Sequence, residues 1–143
     1  MKPIGVIHTP YSDIAQTPLH PTRSPASGLV EIYPEYAAGL RDIDGFSNIM
    51  LLFVFHQSRG YDLQVTPLLD DHPRGVFATR HPCRPNPIGL SIVSLLARRG
   101  NLLEIEGVDM LDGTPLVDIK PYVPEFDARS GHQIGWYAQR SKP

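Results

Sequence analysis

The chain has 143 residues, of which 41% are hydrophobic and 20% charged, with a formal charge of -2 and a pI near 6.3. That is enough for a single domain, 1–143, with a proper core, and it is too apolar for the disordered class. The acidic balance argues against broad capture of nucleic acid by phosphate neutralisation, although a local basic patch remains compatible with it.

The 15 prolines and 12 glycines are spread along the whole chain between short apolar runs, which predicts many short strands and shaped loops. Ile4 to His8 reads as a strand stopped by Thr9-Pro10, and Tyr11 to Ser27 as a long proline-rich loop without core residues. Leu29 to Tyr33 alternates as a strand. Pro34 then sits at a first helical position, and Glu35 to Leu40 makes a short helix. Ile49 to Phe55, IMLLFVF, is expected as a strand buried on both faces, with the polar group His56-Gln57-Ser58-Arg59 emerging at its end. Leu63 to Leu69 holds Pro67 and reads as an edge strand or a passing loop.

Asp70, Asp71 and His72 invite a metal reading, but adjacent residues in one turn rarely close a coordination sphere, so no metal site is expected. Val76 to Thr79 is expected to enter the next loop as a strand and Ile88 to Ala97 to leave it as one, with a short helix as the alternative for the latter. Arg98 to Asn101 has hairpin-turn composition, and Leu102 to Val108 alternates with Leu103 and Ile105 on one face. A turn from Asp109 to Pro115 precedes a last strand, Leu116 to Lys120. The tail beyond Glu125 has no period, and its Trp136-Tyr137 pair suits docking on the body or on a second subunit. The whole reads as a mainly β barrel or sandwich with one short helix and long proline-rich loops. Cys83 alone excludes an intrachain disulfide. MKPIGVIHTPYS has no apolar leader and no run reaches membrane-spanning length, so a cytoplasmic home and no membrane are expected.

The densest chemistry lies in Gly75 to Ser91, GVFATRHPCRPNPIGLS. Pro82, Pro85 and Pro87 fix φ and push His81, Arg84 and Asn86 towards extended geometry. A stiff loop with the guanidinium groups of Arg80 and Arg84, one imidazole and one amide suits a ligand with charged and hydrogen-bonding parts. Its expected partner is the turn at Asp112-Gly113, whose tight backbone exposes amide groups, with Asp109 and Asp112 able to accept from hydroxyls or an ammonium. Asp118 and Lys120 share one strand face, which Tyr122 would continue; a plain surface ion pair explains that row equally well. No GxGxxG, P-loop, nucleophile elbow, HExxH or CxxC is present.

FATRHPCRPNPIGLS (Phe77 to Ser91) and DGTPLVDIKPYVP (Asp112 to Pro124) closely resemble the two signature stretches of the TrmO-like family, also called YaeB/TsaA or VirR-like. PIGVIHTPY and GLVEIYPEYAAGLRDIDGFSNIMLLFVFH resemble it further, in the same order, so the likeness covers nearly the whole chain. It implies a small closed or partly open β-barrel that works as a homodimer. It also implies S-adenosylmethionine as cofactor and methylation of N6 of threonylcarbamoyladenosine at position 37 of tRNA.

By position, Thr22, Arg23 and Ser24 match the family's proline-arginine-glutamine loop on the cofactor, with only the arginine kept. His56, Gln57, Arg84, Asp109, Met110, Leu111 and Asp112 match other cofactor-binding positions, and the loop amide of Asn86 joins them. Longer bacterial members carry a further C-terminal domain, so tRNA contacts assigned to it are not expected here. Because the cofactor's methyl is already activated, the protein's task is orientation plus removal of the N6 proton. Asp118 or Tyr122 is the expected acceptor, with Lys120 holding the substrate carboxylate or tuning its neighbour. The competing expectations are a module that binds the cofactor without catalysis, and a methyltransferase with a different small-molecule or nucleic-acid substrate.

Overall fold

The computed structural model describes residues 1–18 and 26–143; the expected cofactor residues Thr22, Arg23 and Ser24 lie outside the described residues. Eight strands occur in chain order: β1 (Gly5–His8), β2 (Ser27–Ile32), β3 (Asn48–Val54), β4 (Gln64–Val65), β5 (Arg74–Gly75), β6 (Ile88–Arg99), β7 (Leu102–Glu106) and β8 (Thr114–Pro121). They fall into two compact units. One comprises Met1–His56 and Ile88–Tyr122, the other Gln57–Pro87 and Val123–Pro143. Among the described residues no helix is long and apolar enough to cross a membrane.

The first unit is a closed antiparallel barrel in the order β1-β2-β7-β6-β3-β8. Closure leaves no sheet edge unpaired, and period-two alternation sends every second side chain inward. Ile7, Val30, Ile49, Leu51, Leu103, Ile105 and Leu116 fill the interior with no exposed surface. The run IMLLFVF corrects the expectation of burial on both faces. Ile49, Leu51 and Phe53 are buried, while Met50, Leu52 and Val54 are only half-buried. A single barrel has one interior, and among the described residues of this unit no second layer covers the outer face of β3.

Ile88 to Arg99 is strand throughout, pairing β3 on one side and β7 on the other, which excludes the helical alternative. The β6–β7 turn is the expected hairpin, with Gly100 at φ 63. The short helix predicted after Pro34 is present as a 3-10 helix, Pro34–Leu40, and ends on buried Leu40.

The second unit carries little regular structure: the β4–β5 pair, one α-helical turn, α1 (Pro124–Asp127), and short 3-10 turns. Only Gln64–Val65 of the stretch Leu63 to Leu69 is strand, since Pro67 has no N–H to extend the ladder. Val76 to Thr79, expected as a strand, is instead a 3-10 turn over Val76–Ala78. Thr79 donates to Val76 O from both its backbone N (3.1 Å) and its hydroxyl (2.8 Å), so the local turn satisfies the groups that a ladder would have used.

The unit is fastened by polar clamps. Asp70, 2% exposed, receives Arg74 Nε at 2.8 Å and Nη2 at 2.7 Å. The Arg74 guanidinium lies 5.6 Å from the Trp136 ring centroid, and Trp136 Nε1 donates to Ala78 O at 2.7 Å, docking the tail of the unit on its loop.

Candidate functional site

The connection from β7 to β8 is held against the exit of β1. Gly107 (φ 95) and Gly113 (φ 81) supply the left-handed backbone at its two ends. Asp112 N donates to Tyr11 O (2.8 Å) and Gly113 N to Ile7 O (2.9 Å). Thr9 donates twice, from its hydroxyl to Met110 O (2.8 Å) and from its backbone N to Asp112 Oδ1 (3.1 Å). His8, the last residue of β1, sits between two carboxylates, with Nε2 3.0 Å from Glu31 Oε1 and Nδ1 3.5 Å from Asp112 Oδ1.

The four residues Asp109, Met110, Leu111 and Asp112 therefore form one shaped turn with distinct tasks. Met110 is buried in the core and anchors it. Asp109 Oδ1 accepts from the buried hydroxyl of Ser91 at 2.7 Å, which ties that carboxylate to β6. The Asp112 side chain is 52% exposed and so remains open to a ligand. Beside the turn, His8, Thr9, Pro10, Ser27, Gly28 and Leu29 line an open depression of about 310 Å³. Gly28 is required there, because a Cβ would stand 2.6 Å from Val108 Cγ1 and 2.9 Å from His8 O.

In the second unit, the proline-rich loop is stiffened by bonds to itself. His81 N donates to Thr79 Oγ1 (3.2 Å), Cys83 N to His81 Nδ1 (3.1 Å) and Arg84 N to Pro82 O (2.9 Å). Arg84 Nη1 gathers the carbonyls of Val76, Thr79 and His81 at 3.3, 2.9 and 3.1 Å. One nitrogen of this guanidinium thus organises the loop, while Nε and Nη2 have no hydrogen-bond partner among the described residues. Asn86 is exposed on the same loop.

The row on β8 lies on the outer face of the barrel. Asp118 stands opposite Leu52 and Lys120 opposite Met50, separated by Ile119, which packs against the core. Asp118 Oδ2 and Lys120 Nζ are 3.1 Å apart with 45% and 57% of their side chains exposed. Tyr122 is half-buried, and its N donates to Asn48 O at 3.2 Å, which carries the pairing past Pro121. His56, half-buried, and Gln57, exposed, follow β3 after Phe55.

Sequence reasoning missed His8, Thr9, Glu31 and Ser91. The available signal was period-two alternation: Val6 and His8 on β1, and Leu29 and Glu31 on β2, share the outer face, whereas Ser91 alternates inward with Gly89 and Val93.

Comparison with known proteins agrees with this architecture. A Pyrococcus abyssi protein named as a probable S-adenosyl-L-methionine-binding protein is 50% identical over 136 residues, which cover 94% of this chain and 74% of that protein. The Escherichia coli tRNA (adenine(37)-N6)-methyltransferase is 40% identical over 132 residues, covering 85% of this chain and 56% of the enzyme. A solved crystal structure of TrmO superposes with a TM-score of 0.80 at 40% identity, over 94% of this chain and 62% of that one. The chain thus spans between about half and three-quarters of the length of these relatives. Residues 6–128 match the family described as the tRNA-methyltransferase O N-terminal domain, and the chain belongs to that family.

Proposed function

We propose that the chain binds S-adenosylmethionine and transfers its methyl group to N6 of threonylcarbamoyladenosine at position 37 of tRNA. The observation that carries this reading is the Asp109–Asp112 turn, latched to β1 with one carboxylate turned outward; the family resemblance is what assigns its residues to the cofactor. Each unit by itself offers chemistry that suits the cofactor: in the first, the half-exposed Asp112 carboxylate for hydroxyls or an ammonium; in the second, the Arg84 guanidinium for a carboxylate. Asp109, Met110, Leu111, Asp112, His56, Gln57, Arg84 and Asn86 would hold it, with Arg23 and its neighbours Thr22 and Ser24. When bound, S-adenosylmethionine supplies a methyl already activated on a sulfonium.

The chain's own part is orientation and proton handling. The adenine N6 of this substrate is a poor nucleophile and must lose its proton as the new carbon–nitrogen bond forms. Asp118 or Tyr122 accepts that proton, and Lys120, paired with Asp118, tunes its neighbour. Substituting Asp118, Lys120 and Tyr122 singly tests these roles; wild-type turnover in all three would dispose of them.

A homodimer and a cytoplasmic home belong to the same reading. The dimer is supported by apolar residues on the outer face of β6, where Leu90, Ile92 and Leu96 are 44%, 41% and 54% exposed. The name of the Pyrococcus abyssi relative supports a second reading, a binding module without transfer. Incubation with labelled cofactor and total tRNA from a source lacking the modification separates the two: label in the position-37 adenosine supports the enzyme, and tight cofactor binding without transfer supports the module.

A further inference from the structure

Two strongly exposed aromatic rings of the second unit belong to one zipped piece of backbone. Phe77 is 76% exposed and Tyr61 57%. Their segments are joined on both sides: Val76 N donates to Leu63 O at 2.9 Å, Asp62 N to Cys83 O at 3.3 Å, and Ser58 Oγ to Pro82 O at 3.2 Å. Trp136 Nε1 on Ala78 O brings the 3-10 turn of Gly135–Gln139 alongside Phe77, with Tyr137 37% exposed and the Arg140 guanidinium 4.1 Å from its ring centroid. A phenylalanine ring this exposed adds almost nothing to the packing of its own unit, and backbone hydrogen bonds hold its segment to the one that carries Tyr61.

Charge indicates what the two rings accept. Arginines and lysines outnumber carboxylates in this unit, although the whole chain carries a formal charge of -2, so the excess acid lies in the barrel. Exposed Arg59 and Arg80 flank the two rings in sequence. Exposed rings beside cations are the recognition chemistry of single-stranded nucleic acid: every base offers a π-face for stacking, but only when it is unpaired, and the cations follow the phosphates. A protein partner would match the rings without calling for the basic surplus.

We propose that Tyr61 and Phe77 stack unpaired bases of an RNA loop, with Arg59 and Arg80 along its backbone. This rests on tRNA being the substrate, and it assigns the second unit a part in holding it.

The test uses the full chain and fluorescence anisotropy with two labelled probes, a short RNA hairpin with an unpaired loop and a fully paired RNA duplex of equal length. Wild type is expected to prefer the hairpin. Phe77→Ala and Tyr61→Ala should each weaken hairpin binding about tenfold and leave duplex binding, melting temperature and S-adenosylmethionine affinity unchanged, while Phe77→Trp keeps the hairpin affinity. Hairpin binding that is absent in wild type, unchanged in both alanine variants, or reduced equally on hairpin and duplex overturns the proposal. A change in the sedimenting species on Phe77→Ala, which would mark a contact between protein copies, overturns it too. Loop-dependent loss of hairpin affinity in a chain that transfers no methyl to tRNA keeps this proposal and removes the enzymatic one.

Discussion

At the residue scale, the Asp109–Asp112 turn depends on His8 and Thr9 at the end of β1. Thr9 holds the turn through its hydroxyl on Met110 O, a carbonyl that Thr9→Val leaves without that donor while keeping the β-branched shape. The expected cost is about 1 kcal/mol, seen as a lower melting temperature and a several-fold weaker cofactor affinity by calorimetry; an unchanged affinity would detach the latch from binding. Asp70 carries a pH dependence. Burial alone would raise its proton affinity, but the Arg74 hydrogen bonds, the Asp71 N–H, the His72 ring and the Arg74 charge outweigh that and hold its carboxyl well below the usual carboxylate range. Its folded pKa lies under its unfolded one, so the stabilisation is complete above about pH 4 and is lost as pH falls through the folded value. Melting followed from neutral to strongly acid pH should show that loss in wild type and a flatter acid limb in Asp70→Asn.

At the element scale, β6 joins the signature loop to the barrel, and its first turnaround is sterically tight. A Cβ on Gly89 would collide with the ring of Phe53 and come within 2.9 Å of Phe55 Cζ. Gly89→Ala should therefore destabilise the barrel by about 2 kcal/mol through overpacking, measured by denaturant unfolding; a wild-type midpoint would show that the two rings can move aside. Strand content was largely legible in the sequence because alternation and proline punctuation act over a few residues, as in Leu102 to Val108, a strand over Leu102–Glu106, and Ile88 to Ala97, a strand that runs on to Arg99. The turn at Val76–Ala78 was not legible. Its composition suits a strand, but the β5 pairing reaches only as far as Val76 N on Leu63 O before the chain closes into a 3-10 turn with Thr79 N on Val76 O.

At the scale of the whole molecule, the two units differ in what holds them. The barrel has a continuous apolar interior, whereas the second unit depends on the Asp70–Arg74 clamp, the Trp136–Ala78 bond and one pair of two-residue strands. Native-state hydrogen exchange should therefore find the slowest amides on β3, β6 and β7 and much faster exchange in Gln57–Pro87, with Trp136→Phe accelerating the latter alone. Equal protection in both would contradict this division. The proposed dimer is tested at this scale as well: Ile92→Glu places a charge on the exposed apolar face of β6, and if that face is the interface, sedimentation should find wild type as a dimer and the variant as a monomer with the barrel still folded; a monomeric wild type would dispose of the dimer.

Local chemistry was enough to reveal the proline-stiffened loop, the glycine-bent turn, the alternating strands and the family they resemble, because each is written in consecutive residues. Three-dimensional pairing alone decided that His8 meets Glu31 and Asp112, that Ser91 ties down Asp109, and that Asp118 and Lys120 stand on the outside of a closed barrel. His8 lies far along the chain from Glu31 and Asp112, as Ser91 does from Asp109, and such bonds exist only once strand register has brought the partners together; for the near neighbours Asp118 and Lys120 it is the side of the barrel that closure decides. No local propensity encodes that register; it follows from packing one apolar face of every strand into a single shared interior.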